Sequence, residues 1–389
     1  MKLQGDKPII TMNIKTYSRL FTLIQVIIFS SLFAQEGEHP KPNPLKIGAE
    51  APDFKLPGVD GKEYTLSDFS EKEALVIIFS CNHCPTAQAY EDRIIQLTED
   101  YKGKSVQVVV ISPNAPNAVA LGELGYSDLG DSFKDMQTRA KEKNYNFPYL
   151  YDGETQEASL KYGPIATPHA FLFNKERKLS YVGRLDGSEK PGSANAEDLR
   201  SAINAVLANK KVSNPITKTF GCSVKWAWKN EWKKKLDENW AQQEVTLNEI
   251  SPEGIKQLIK NDTDKLRLIN VWATWCGPCV MEFPEFVDIH RMYMERDFEF
   301  ISISADKPEK KEKVLAKLER MEAATQNYLF SLEDKYQLIE AIDENWQGAL
   351  PYTILVEPGG KILYSQQGTI NPYEIKKKIV ESKYIGRYY

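Results

Sequence analysis

Apolar residues in this chain gather in short unbroken runs, separated by longer segments whose apolar positions recur at helical spacing. Ala74 to Phe79 reads ALVIIF, and Val106 to Ile111 forms a second run broken only by Gln107. Continuous apolarity over that length marks a strand buried on both faces. Between the two runs Ala87 to Tyr101 predicts a helix, and Leu199 to Leu207 predicts another. The pattern then recurs. Leu266 to Trp272 reads as a strand, Cys279 to Arg296 as a helix, Phe298 to Ser304 as a strand and Pro308 to Met321 as a helix. YTILVEPGGKILYSQ reads as a hairpin turning at Pro-Gly-Gly. A last helix is expected from about Pro372 to Lys383. Strand and helix alternate in both halves, so the fold class is α/β with two sheets flanked by helices.

The 389 residues divide by pattern into five stretches. Lys15 and Arg19 precede the apolar run Leu20 to Phe33, which ends at the small residue Ala34 before a polar stretch. That order is the pattern of an export signal over about 12–34, with cleavage after Ala34. It places residues 1–34 in the signal, and implies a periplasmic location with membrane contact only through an uncleaved signal. Residues 35–46 are a Pro-rich leader, 47–212 a first domain, 213–244 a segment rich in Trp and Lys, and 245–389 a second domain. In the 213–244 segment, the indoles are expected to pack on a neighbouring domain while the lysines face water.

Charge narrows the chemistry. The net charge is −4 with 27% charged residues, a balance that gives no footing for nucleic acid. No phosphate loop, Ser-His-Asp set or zinc-protease motif occurs.

The five cysteines carry the positive signal. Cys81 and Cys84 follow the first apolar run as C-N-H-C. Cys276 and Cys279 follow the run at Leu266 as C-G-P-C, and Cys222 is left over. A cysteine opening a helix after a strand meets unpaired backbone amides and the positive end of the helix dipole. Its thiol is thereby acidified, and the thiolate attacks disulfides. On this reading Cys276 and Cys81 attack, and Cys279 and Cys84 resolve. Gly277 and Pro278 add no charge. His83 is expected to stabilise the Cys81 thiolate, making the first pair the more oxidising and drawing electrons from the second domain. Thr167-Pro168 and Leu350-Pro351 each precede a predicted strand, and their recurrence after both pairs predicts cis bonds beside the thiols. Trp275 is expected to form an apolar rim for a polypeptide partner, with Trp272 beside it. Cys222 is the candidate third thiol. A zinc site built from all four paired cysteines is disfavoured because each pair follows its own strand. Copper on Cys81, Cys84 and His83, helped by His169, is the rival reading of the first pair. No metal and no cofactor beyond the redox-active cysteines is expected.

VWATWCGPCVMEFPEF with LPYTILVEPGGKILYSQQG resembles the exported thioredoxin-like reductases of the TlpA/ResA kind. IGAEAPDFKLPGVDGKEYTLSDF, VIIFSCNHCPTAQAYEDRI and TPHAFLF resemble the redoxin side of the AhpC/TSA grouping, and FGCSVKW resembles the tail of single-domain proteins of that C-N-H-C-P type. The resemblance implies tandem thioredoxin folds and thiol-disulfide exchange with protein substrates, with a membrane thiol-reducing protein as the candidate donor. It departs from peroxidases of the second group. The Thr and Pro that precede a peroxidatic cysteine are replaced by Ile78 and Ala74 before Cys81, and by Cys81 and Ile77 before Cys84. At most weak thiol peroxidase activity is therefore expected. The buried acid of thioredoxins is also missing, its places being taken by Asn270 and Leu75. Glu282 is the nearest substitute, although a surface position is expected for it.

Overall fold

The computed structural model describes residues 39–40 and 42–387. The expected signal at 12–34 lies outside them. No helix among the described residues is long and apolar enough to cross a membrane.

In the first half, β1 (Lys55–Pro57) and β2 (Glu63–Thr65) form a small hairpin ahead of β3 (Ala74–Phe79), the expected ALVIIF strand. Then come α1 (Pro85–Asp100), β4 (Val106–Ser112), α2 (Phe133–Glu142), β5 (Tyr149–Tyr151), α3 (Glu157–Tyr162), β6 (His169–Phe173), β7 (Leu179–Gly183) and α4 (Glu197–Leu207). The sheet order is β5-β4-β3-β6-β7. β3, β4 and β5 run parallel, and β6 returns antiparallel to β3. After α5 (Asn230–Ala241), the second half contains β8 (Asn248–Ile250), α6 (Pro252–Lys260), β9 (Leu266–Trp272), α7 (Gly277–Tyr293), β10 (Phe298–Ser304) and α8 (Lys311–Arg320). β11 (Gln326–Phe330), α9 (Lys335–Ile342), β12 (Tyr352–Val356), β13 (Ile362–Gln367) and α10 (Pro372–Glu381) complete it. Its sheet order is β13-β12-β9-β10-β11-β8. β3 and β9 therefore hold the same place, each with a parallel neighbour on one side and an antiparallel one on the other.

Both central strands are buried on both faces, β3 without a polar residue and β9 with Arg267 and Asn270 buried in it. Val76 and Ile78 pack on one side with Tyr90, Ile94 and Leu97 of α1, while Leu75, Ile77 and Phe79 face Phe69, Tyr162 and Phe171 on the other. In the second half Leu268 and Trp272 meet Phe283 and Phe286 of α7, and Ile269 and Val271 meet Ile255 and Ile342. Each such side chain contributes about 1.5–3 kcal/mol on burial, so the site helices α1 and α7 are fixed by their apolar faces against these strands. Two helix starts differ from the expectation: α1 begins at Pro85 and not Ala87, and α7 at Gly277 and not Cys279. In both cases a proline near the first helical position, preset at helical φ, moves the start forward.

The 213–244 segment is partly bound. Val182 bridges Ile216, and Thr167 bridges Cys222, so the chain runs back along the first sheet before it leaves. Trp226 is buried and stacks on Trp228 with centroids 5.1 Å apart. Trp240 is buried and donates to the Glu322 carbonyl at 2.9 Å, whereas Trp232 is exposed. The two halves pack against each other. Leu121 and Leu124 insert into the second core. Tyr293, ending α7, donates to the Ser127 carbonyl at 2.7 Å, and Arg296 lies 3.9 Å over the Tyr126 ring. Arg387 reaches back to bind Asp128 at 3.0 Å and Gln88 at 2.9 Å.

Candidate active site

The antiparallel strand beside each central strand begins where that central strand ends. Phe79 pairs with His169 and Val271 with Tyr352. One step further, Ser80 faces Pro168 and Trp272 faces Pro351. Both Thr167-Pro168 and Leu350-Pro351 are cis, as the recurrence suggested. Four residues beyond Ser80 is Cys84, and four beyond Trp272 is Cys276. Thus Cys84 corresponds to Cys276, and Ala87 to Cys279. The pair-to-pair alignment expected from sequence, with Cys81 matching Cys276, is out of step by three residues.

The helix caps tell the same story. Cys276 caps α7, and its sulfur accepts the Cys279 amide at 3.3 Å. Cys84 caps α1, and its sulfur accepts the Ala87 amide at 3.5 Å. Each sulfur sits on an otherwise unpaired amide of the first helical turn. Cys81 lies before the helix and has no such support. The expectation that Cys81 opens the helix is therefore corrected, because Pro85, not Asn82, begins α1.

In the second domain Cys276 and Cys279 form a disulfide. Leu350 packs against the core cluster that holds both cysteines. Trp275 is 68% exposed beside the disulfide, whereas Trp272 is fully buried against Phe283 and takes no part in a rim. Gly277 is the first residue of α7, and a side chain there would meet nothing within 4 Å. Glu282 stands one turn beyond Cys279 on α7, a spacing that brings side chains together. It is buried, contrary to the surface position expected. One carboxyl oxygen accepts the Ile370 amide at 3.0 Å, while the other has no partner. Burial raises its pKa to about 7. Asn270 donates to Thr353 Oγ1 at 3.0 Å and is fully buried.

In the first domain Cys81 and Cys84 are free and buried, and Cys222 is free and partly exposed. Cys81 Sγ lies 3.3 Å from Thr167 Oγ1, and the Cys84 thiol reaches the Thr167 carbonyl at 3.3 Å. His83 does not serve Cys81 as expected. Its Nδ1 is 2.6 Å from Asp131 Oδ2, and the amides of Asn82 and His83 both donate to Asp131 Oδ1. Asn114 also donates to Asp131. Burial works against a charged imidazole, but Asp131 outweighs it and raises the His83 pKa. Burial, the contact with Cys84 and the Asp131 charge together push the Cys81 thiol well up. For Cys84, burial and the Thr167 carbonyl favour the neutral thiol. Hydrogen bonds from Cys222 and Cys81 and the His83 charge outweigh them and hold Cys84 well below its ordinary value.

Ligand atoms of Cys81, His83 and Asp131 lie within 4.8 Å of one another, all buried. This is not the set of the rival copper reading, which had Cys81, Cys84 and His83 helped by His169: Asp131 stands in the group, whereas His169 accepts the Ile165 amide at 3.4 Å and lies tilted against the Phe171 ring. Asp131 was missed because it lies 47 residues beyond Cys84 with no motif around it.

Residues 47–182 match the AhpC/TSA family and residues 241–382 match the Redoxin family. Among curated proteins, the thiol-disulfide oxidoreductase ResA of Oceanobacillus iheyensis is 23% identical over 179 residues, covering 44% of this chain and 76% of that protein. The ResA of Bacillus subtilis is 28% identical over 102 residues, or 26% of this chain and 52% of its own length. Among solved structures, a hypothetical protein from Sinorhizobium meliloti is 32% identical, with 49% of this chain and 99% of that one covered and a TM-score of 0.43. The chain thus carries two redoxin-type domains in tandem, an AhpC/TSA-family domain followed by a Redoxin-family domain.

Proposed function

We propose that the protein is a thiol-disulfide oxidoreductase that exchanges disulfides with protein substrates through Cys276 and Cys279, and that it works as an exported protein. The carrying observation is the Cys276–Cys279 disulfide at the amino end of α7, with Cys276 as cap. In the reduced protein Cys276 is the attacking thiolate, stabilised by the first-turn amides. Cys279 attacks the resulting mixed disulfide and releases the substrate thiol. Glu282 accepts the Cys279 proton, its pKa of about 7 matching that task near neutrality. Trp275 offers a flat apolar face to the incoming chain. Export rests on the basic-then-apolar start of the sequence.

Reduction of insulin by the full chain tests this. Cys276→Ser should abolish turnover, and Cys279→Ser should hold a mixed disulfide with substrate. Wild-type protein unable to reduce insulin would end the reading. An electron relay from Cys276–Cys279 to the first-domain thiols is part of this reading; the last turn of α7 docks on the first domain through Tyr293, and Cys276 caps its first turn, about 24 Å away along the axis.

A further inference from the structure

The buried thiols of the first domain raise a problem of access. Cys81 and Cys84 are 3% and 0% exposed, and among the described residues no exposed side chain such as Trp275 opens a way to them as it does beside Cys276. Cys222 is partly exposed and packs against the buried cluster that holds both.

Cys222 is held there by backbone construction. The Thr167 amide donates to the Cys222 carbonyl at 2.9 Å, which ties the 220–224 segment to the same loop that touches Cys81 and Cys84. Gly221 makes the approach feasible. It has φ +129°, and a Cβ on it would lie 2.2 Å from the Thr167 carbonyl oxygen. Downstream, the Lys225 amide donates to Asn114 Oδ1 at 2.9 Å, and Asn114 also binds Asp131. The segment is thus braced on both sides of Cys222 by the residues that set the Cys81–Cys84 loop.

We propose that Cys222 is the solvent-facing port of a three-thiol relay, through which the buried Cys81–Cys84 pair exchanges disulfides with small thiol-disulfide compounds or peptides. This rests on the redox reading above but concerns a different site. As Cys222 attacks a substrate disulfide, its proton passes to the substrate thiolate that leaves. Cys84 then attacks the Cys222 sulfur, giving its proton to the second leaving thiolate and forming a Cys84–Cys222 disulfide. Cys81 finally attacks Cys84, forms the Cys81–Cys84 disulfide and returns its proton to Cys222. Two protein thiols become one disulfide, and the substrate disulfide becomes two thiols.

The test uses the full chain with Cys276→Ser and Cys279→Ser, reduced and then exposed to oxidised glutathione. Samples quenched in acid at successive times are mapped by mass spectrometry. Glutathione should appear first on Cys222, followed by Cys84–Cys222 and then Cys81–Cys84 disulfides. Adding Cys84→Ser should leave glutathione on Cys222, and adding Cys222→Ser should slow Cys81–Cys84 oxidation at least about tenfold. Glutathione arriving first on Cys81 or Cys84, or an undiminished rate in the Cys222→Ser protein, overturns the relay. The order of arrival is read with Cys222 intact, so it does not depend on that variant folding. Insulin reduction by the wild-type chain is scored separately, so the relay can fail while the Cys276 site stands.

Discussion

The two halves of this chain build one fold and place a cysteine at one corresponding point, yet surround it differently. Around Cys276 the second thiol lies inside the helix at Cys279, a buried acid follows at Glu282, and Trp275 opens to solvent. Around Cys84 the second thiol lies ahead of the helix at Cys81, and a third arrives at Cys222 on a distant segment bridged to Thr167. An Asp131–His83 pair replaces the acid, and the pair of thiols is closed off from water. The lesson is that C-x-x-C is a spacing, whereas the chemical unit is the sulfur that caps the helix. The same spacing slides by three residues between the halves, and the partner thiols change with it.

The strongest test of this contrast is loss of the Cys276 site. Cys276→Ser should lower insulin reduction by at least about 100-fold. A variant that kept most of its turnover through Cys84 would erase the distinction between the two sites. Next is pH. Glu282 has a folded pKa raised to about 7, so the folded state binds its proton more tightly than the unfolded chain does. Stability should fall as pH rises from the ordinary carboxyl range through about 7, by up to about 3 kcal/mol. Glu282→Gln should flatten that slope in urea titrations, and an unchanged slope would assign the pH dependence elsewhere. Gly221→Ala should cost about 1–3 kcal/mol from the positive φ and the clash with Thr167, and should separate Cys222 from Cys84. Chemical denaturation reports the cost, and failure to trap a Cys84–Cys222 disulfide reports the separation. The smallest effect belongs to Asp131→Asn, which removes the charge that raises the His83 pKa. The ultraviolet thiolate titration of the first domain's thiols should shift by about one pH unit, and a curve unmoved by the change would show that His83 does not set Cys84.

Several features of the site were legible in the sequence. The apolar-rich runs at Ala74 and Leu266 matched both central strands to the residue, because burial on two faces keeps nearly every position apolar, Arg267 and Asn270 being the exceptions. The recurrent X-Pro before each neighbouring strand gave the two cis bonds. The misreadings share one cause. Whether Cys81 or Cys84 caps α1 depends on where Pro85 starts the helix relative to the β3–β6 register, a matter of which residues face each other across the sheet. Glu282 sits on a helix of ordinary pattern, and only the approach of the 368–370 turn buries it.

By itself the sequence determined the repeated α/β pattern, the strands that carry the cysteines and the chemistry those cysteines can perform, since all three follow from local residue types and their spacing. The tertiary structure alone decided which sulfur stands on helix amides, which thiol keeps contact with water and which acids and imidazoles share their charge with them. Those depend on approaches between residues far apart in the chain, such as Thr167 with Cys222 and His83 with Asp131, and spacing along the chain carries no record of them.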